Sequence, residues 1–148
     1  MKGIVLLLSL LALLTTNSDA RIKLLKHRIF VVIANDLSGG LDLTLHCKSR
    51  DDDLGEHLLH TNQTFEFNFR PYFWGTTLFY CSFQWKGGAL IWFDIYKEMR
   101  ELKSCTLCKW IIRENGPCRY DYITGSYSDC YPWNNSTILH EKKNALQN

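Results

Sequence analysis

Leu45-His46-Cys47-Lys48-Ser49-Arg50-Asp51-Asp52-Asp53-Leu54-Gly55-Glu56-His57-Leu58-Leu59 sets three adjacent carboxylates between a cysteine and a glycine. Neighbouring Asp side chains repel one another and fit poorly in the middle of a regular strand, so this stretch reads as an exposed turn, with Gly55 letting the chain reverse. Its flanks show what the turn joins. Leu41, Leu43, Leu45 and Cys47 alternate with Asp42, Thr44 and His46, the two-residue period of a strand buried on one face, so Cys47 points inward. Beyond the turn, Glu56 to His60 and then Phe65, Phe67 and Phe69, alternating with Glu66 and Asn68, begin the next extended segments.

The same pattern continues along the chain. Strands are predicted at His27–Ile33, Leu41–Cys47, His57–Leu59, Thr64–Phe69, Leu78–Trp85, Leu90–Tyr96, Thr106–Arg113 and Cys118–Tyr122, punctuated by Asn35-Asp36, Ser38-Gly39-Gly40, Gly87-Gly88, Asn115-Gly116-Pro117 and Gly125. Two hairpins are well specified. Trp85-Lys86-Gly87-Gly88-Ala89 joins the strand of Phe79, Cys81 and Phe83 to that of Leu90, Trp92 and Phe93, and Glu114-Asn115-Gly116-Pro117 joins Cys108, Trp110 and Ile112 to Cys118, Tyr120 and Tyr122. Cysteines share a face with aromatic residues in both, as expected of disulfides inside a sheet-packed core. Tyr96 to Lys103 is charged and poor in β-branched residues, a loop or one helical turn. Many short strands without a repeat or linker predict an all-β fold, a single-domain antiparallel β-sandwich.

Met1 to Ala20 has the form of a signal peptide: Lys2 begins it, Ile4 to Leu14 is apolar, and Ser18 and Ala20 put small residues at the cleavage site. The apolar run is shorter than the roughly 20 residues that cross a bilayer, and nothing later spans, so no membrane segment is expected. Cleavage leaves residues 21–148 as one domain with a polar, flexible tail from about residue 137. The net charge of +2 offers no concentrated basic face for nucleic acid, and the cluster Arg21, Lys23, Lys26 and Arg28 reads as a solvated tail. All six cysteines, Cys47, Cys81, Cys105, Cys108, Cys118 and Cys130, lie beyond the leader, and secretion into an oxidising compartment predicts three disulfides whose pairing the spacing leaves open.

Several ordered blocks together resemble the plant self-incompatibility proteins, the S-protein homologues: His46 to His57, Thr77-Leu78-Phe79-Tyr80-Cys81-Ser82-Phe83-Gln84-Trp85, Phe93-Asp94-Ile95-Tyr96, Cys108-Lys109-Trp110 and Cys130-Tyr131-Pro132-Trp133. The resemblance runs from Ile29 to Trp133. It implies an extracellular plant protein; the family's founding members are secreted by the stigma and recognised by a pollen receptor that triggers calcium signalling and arrest of incompatible pollen. The expectation is thus a secreted, monomeric ligand of a cell-surface receptor, without enzymatic activity or cofactor, acting in pollen rejection or another reproductive or developmental process.

Other chemistries fit less well. Cys105-Thr106-Leu107-Cys108 has the spacing of a zinc or redox pair, but Cys118 and Cys130 are isolated and do not form a second close pair, which favours structural disulfides. A calcium loop starting at Asp51 would need Glu where Asn62 stands and Gly where Glu56 stands, so Asp51, Asp52 and Asp53 read as a solvated turn whose carboxylates accept local backbone N–H bonds. His46, Glu56, His57 and His60 would lie apart on a strand, and no nucleophile turn, metalloprotease helix or phosphate loop appears. Among Trp74, Trp85, Trp92, Trp110 and Trp133, Trp74 is the exposed candidate, beside Pro71 and Gly75; stacking of sugars there would make the chain a carbohydrate-binding or defence protein, the alternative function. A small secreted hydrolase relying on His46 or His57 is the third. Asn62, Asn134 and Asn135 head N-glycosylation sequons.

Recognition should fall on the loops Ser49–Gly55, Pro71–Thr77, Lys86–Ala89, Tyr96–Lys103 and Glu114–Pro117, because a rigid scaffold lowers the cost of presenting them. Arg50, Asp51, Asp52, Asp53 and Trp74 are the candidate receptor contacts.

Overall fold

In the computed structural model, residues 27–133 are described. They form β1 (Ile29–Asn35), β2 (Leu43–Lys48), β3 (Asp53–Leu59), β4 (Thr64–Phe69), β5 (Leu78–Gln84), β6 (Ile91–Lys97), the short helix α1 (Glu98–Glu101), β7 (Leu107–Arg113), β8 (Gly116–Asp121) and β9 (Ser126–Cys130). A five-stranded sheet in the order β4-β1-β7-β8-β9 packs on a four-stranded sheet in the order β3-β2-β5-β6, a β-sandwich. Inward-facing Val31, Ile33, Leu43, Leu45, Phe83, Ile95, Trp110 and Ile112 lose all contact with solvent, which is the physical content of the two-residue alternation.

Pairing is antiparallel except between β1 and β7, which run parallel with Phe30 opposite Leu107 and Asn35 opposite Ile112. Alternation reports which face is buried and carries no information on strand direction. The chain enters β1 from the same end at which α1 hands it to β7, so the two strands must run the same way.

Sequence boundaries hold to within a few residues, with two exceptions. β3 begins at Asp53, four residues before the predicted His57, and Gly55 lies inside it at φ 75, where the register against β2 shifts between His46 and Lys48. Gly55 therefore makes a bulge in an edge strand, not the reversal. β9, Ser126–Cys130, was not predicted: its exposed Ser126, Ser128 and Cys130 make it an edge strand without an apolar face.

The disulfides are Cys47–Cys81, Cys105–Cys108 and Cys118–Cys130. Cys47 and Cys81 are directly opposed on β2 and β5 inside the core. Cys118 and Cys130 are opposed on β8 and β9, but they depart from the expected interior position: Cys118 pairs with Ile111, both face away from the main core, and Cys130 is exposed.

The two long sides of the sandwich are sealed differently. Where β3 and β4 form the outer strands, His57 stacks on Phe65 with ring centroids 3.9 Å apart, and Phe67 and Phe69 continue the apolar seal onto Phe79. On the other side, β6 bounds one sheet and β8 and β9 bound the other, and the seal combines Tyr131, packed on Phe93 and Trp110, with an ionic cluster. Glu101, fully buried on α1, accepts from Arg100 and, at 3.2 Å, from Arg119, which also donates to Asp129 at 2.6 Å. The Arg100 guanidinium sits 4.9, 5.3 and 5.0 Å from the ring centroids of Phe93, Trp110 and Tyr131.

Candidate functional site at the loop-bearing end

Strand directions sort the loops into two groups. The β2–β3 turn, the β4–β5 loop, the β6–β7 connection with α1 and the β8–β9 turn lie at one end; the β3–β4 turn and the β5–β6 and β7–β8 hairpins lie at the other. Of the five loops read from sequence, Ser49–Gly55, Pro71–Thr77 and Tyr96–Lys103 are thus brought together. Lys86–Ala89 and Glu114–Pro117 are at the far end.

The acidic turn is held by its serine. Ser49 Oγ accepts from the Asp51 and Asp52 amides at 3.3 and 3.0 Å and donates to Asp52 Oδ2 at 3.1 Å, while the Ser49 amide donates to Asp52 O at 2.8 Å. Among the three carboxylates, only Asp53 takes on the expected task of accepting a local backbone N–H, from Gly55 at 3.0 Å. Asp53 also meets His46 Nε2 at 2.5 Å and Lys48 Nζ at 3.0 Å, and the His46 hydrogen bond, with those from Gly55 and Lys48, holds its carboxyl well below the usual carboxylate range. Asp53 is therefore a brace between β2 and β3. Asp51 and Asp52 are exposed, with Arg50 Nε 3.2 Å from Asp51 Oδ1.

Arg50 ties this turn to the next loop, its guanidinium lying 4.9 Å from the centre of the Tyr72 ring. The β4–β5 loop turns tightly, with Gly75 N donating to Tyr72 O at 3.3 Å, and projects Phe73 and Trp74, which meet edge to face at 5.0 Å. Trp74 is exposed as expected. Thr77 then anchors the loop to α1: Glu98 N donates to Thr77 O at 3.0 Å and Thr77 N to Glu98 Oε2 at 3.2 Å. Arg50, Asp51, Asp52 and Trp74 accordingly belong to one surface over a hydrogen-bonded base.

Sequence reasoning missed that base. Glu98 and Glu101 are buried although they sit in a segment read as a charged loop or single turn; their three-residue spacing, which puts both on one side of a helical turn, was the available signal. Burial pushes the Glu101 carboxyl above its ordinary value, against the opposing pull of Arg100, the Lys97 amide and Arg119.

The remaining candidates are scattered. His46 pairs with Asp53, His60 Nδ1 meets Asp42 Oδ1 at 2.8 Å, and His57 Nε2 meets Leu54 O at 2.8 Å. Among the described residues no cluster of His, Cys, Asp or Glu is arranged to hold a metal ion, and no helix is long and apolar enough to cross a membrane. Asn62 is exposed at φ 64 in the β3–β4 turn, at the far end; Asn134, Asn135, the leader and the tail lie outside the described residues.

Comparison with known proteins fits this architecture. The sequence model described as plant self-incompatibility protein S1 matches residues 30–133. The chain belongs to the plant self-incompatibility protein S1 family. Its relatives from Arabidopsis thaliana include S-protein homolog 5, 44% identical over 106 residues covering 72% of this chain and 79% of the relative. S-protein homolog 3 is 45% identical over 108 residues, covering 70% of this chain and 71% of the relative. A solved structure of self-incompatibility protein homologues, described as a widespread family of small, highly stable, secreted plant proteins, matches with a TM-score of 0.51 at 19% identity, covering 75% of this chain and 97% of that one, and so supports the fold. Membership of the S1 family sets the chain among small secreted plant proteins.

Proposed function

We propose that residues 1–20 are a leader removed on secretion and that the mature domain is an extracellular ligand for a cell-surface receptor, acting in pollen rejection or another reproductive or developmental process. The observation that carries this reading is the convergence of the Ser49–Gly55 turn and the Trp74 loop on one braced end of a disulfide-stapled sandwich. Exposed side chains on a rigid base offer contacts without a large ordering cost. We read the protein as a monomeric binding protein without catalytic role or cofactor, because His46, His57, His60 and the fully buried Glu101 are committed to structural partners.

The test leaves the brace intact. Asp51→Asn, Asp52→Asn and Trp74→Ala, combined with Asp53 retained, should weaken binding of the oxidised mature protein to plasma-membrane receptor preparations by about tenfold or more. Near-ultraviolet circular dichroism should stay unchanged, and parental affinity in the triple variant would remove this end from consideration. The exposed Trp74 indole is the observation that favours carbohydrate binding instead, and a glycan array comparing the parent with Trp74→Ala separates the two. We assign N-glycosylation to Asn62 and to one of Asn134 and Asn135, whose sequons overlap; at Asn62 the glycan would stand at the end away from the acidic turn, and Asn62→Gln should lower the mass released by a glycosidase.

A further inference from the structure

The two ends of the sandwich expose different chemistry. At the end bearing the acidic turn, Phe73 and Trp74 tip the β4–β5 loop, Met99 and Leu102 tip the β6–β7 connection, and Ile123 tips the β8–β9 turn. Trp74, Met99 and Ile123 are 83%, 85% and 96% exposed. Phe30, Leu107 and Tyr122, also exposed, lie at strand ends just behind them. At the far end, the large exposed apolar side chains among the described residues are Leu58 and Leu90 alone. Single exposed apolar residues are ordinary on a protein surface; their concentration on adjacent loop tips at one end is not.

Shape and charge argue for the occupant. The apolar groups stand on three separate loop tips, which suits a fluid surface that closes around each of them. Met, Leu and Ile have no flat face to stack on a sugar ring but partition readily among acyl chains, while Trp and Phe favour the boundary between headgroup and hydrocarbon. Around the tips, exposed Arg70, Lys97 and Lys103 make no ion pair among the described residues. The carboxylates of α1 are turned inward, and Asp51 and Asp53 on the β2–β3 side are offset by Arg50 and Lys48; Asp52 and Asp121, the carboxylates at this end without a cation among the described residues, are outnumbered by the three unpaired cations.

We propose that this end docks peripherally on an anionic phospholipid bilayer, with Phe73, Trp74, Met99, Leu102 and Ile123 entering the interface and Arg70, Lys97 and Lys103 meeting lipid phosphates. The inference does not rest on the receptor reading, since protein-free vesicles test it. The oxidised mature protein should co-sediment with vesicles of equimolar phosphatidylcholine and phosphatidylserine, less with pure phosphatidylcholine, and less at high salt. Phe73→Ser combined with Trp74→Ser should cut partitioning by about a hundredfold, the loss expected for two apolar side chains left in water. Arg70→Gln, Lys97→Gln and Lys103→Gln together should lower binding to the anionic vesicles by about a hundredfold and leave weak binding to neutral ones.

Leu58→Ser with Leu90→Ser, at the far end, should change nothing. Brominated lipids should quench tryptophan fluorescence of the parent and quench it less in Trp74→Phe, which keeps an aromatic anchor and so still binds. The proposal fails if neither vesicle type retains the protein, or if the loop variant and the far-end control bind alike. It fails equally if the apolar end instead drives dimerisation without lipid, seen as a sedimentation shift that Phe73→Ser and Trp74→Ser abolish.

Discussion

Glu101 shows how far one side chain can organise a site without exposing any of itself. It is a carboxylate with no solvent contact, held by two guanidinium groups and the Lys97 amide at 2.9 Å, and it helps close the side of the sandwich away from β3 and β4. Removing one partner of a buried ionic group strands the other, so Glu101→Ala should cost about 3 to 5 kcal/mol in denaturant unfolding. Glu101→Gln, which keeps shape and an acceptor, should cost less than half of that. Tyr96 presents the converse case. Its hydroxyl is buried with no hydrogen-bond partner among the described residues, and burial, aided by Glu98 and Glu101, pushes its pKa up to about 12. A phenol that ionises at 10.0 in the unfolded chain but near 12 when folded makes stability fall as pH rises across that window. Tyr96→Phe should remove this alkaline loss and, by deleting an orphaned polar group, raise stability at neutral pH by up to about 1 kcal/mol.

At the scale of elements, the three disulfides constrain very different lengths of chain: Cys81 lies 34 positions after Cys47, Cys130 12 positions after Cys118, and Cys108 3 positions after Cys105. Chain-entropy arguments give contributions of about 4, 3 and 2 kcal/mol in that order. Paired Cys→Ala variants should lose stability in the same order in urea titrations, with the core position of Cys47 and Cys81 widening the gap. The β7–β8 hairpin depends on Gly116, whose φ is 142 and where an added Cβ would lie 2.1 Å from the Tyr131 carbonyl oxygen. Gly116→Ala must therefore displace the segment after β9, whose Tyr131 amide donates to Pro117 O at 3.0 Å, and should destabilise by about 3 kcal/mol or more. The turn sequence around Asn115 and Gly116 marked the hairpin correctly. That the glycine also clears space for a later strand's exit depends on residues far along the chain.

For the whole molecule, acid should be the weakening direction. His46 beside Asp53, Ser38 beside Glu114 and the Ile123 amide beside Asp121 each hold a surface carboxyl below its ordinary value. Groups of that kind add stability that is fully present above the unfolded values of 3.8 and 4.5 and is lost as pH falls through the folded ones. Glu101 has the opposite sign: its raised value subtracts stability as pH climbs above 4.5 and contributes nothing in strong acid, where it is protonated in both states. Thermal unfolding followed from neutral to strongly acidic pH should show a falling midpoint below about pH 4, and Asp53→Asn should flatten part of that fall.

The sequence by itself determined that residues 27–133 fold as an all-β sandwich, which face of most strands is buried, where the two glycine hairpins lie, and that the cysteines form disulfides, because each of these is written in local periodicity and turn chemistry or in the secreted context. It also placed Trp74 in solvent and supplied the ordered blocks of the S1 family. Only the tertiary structure decided the parallel pairing of β1 with β7, the existence of β9, the disulfide partners, the burial of Glu98 and Glu101, and the gathering of the acidic turn, the Trp74 loop and α1 at one end. Those outcomes depend on which distant segments meet, and loops far apart in sequence acquire a common surface only when strand directions bring them to the same end.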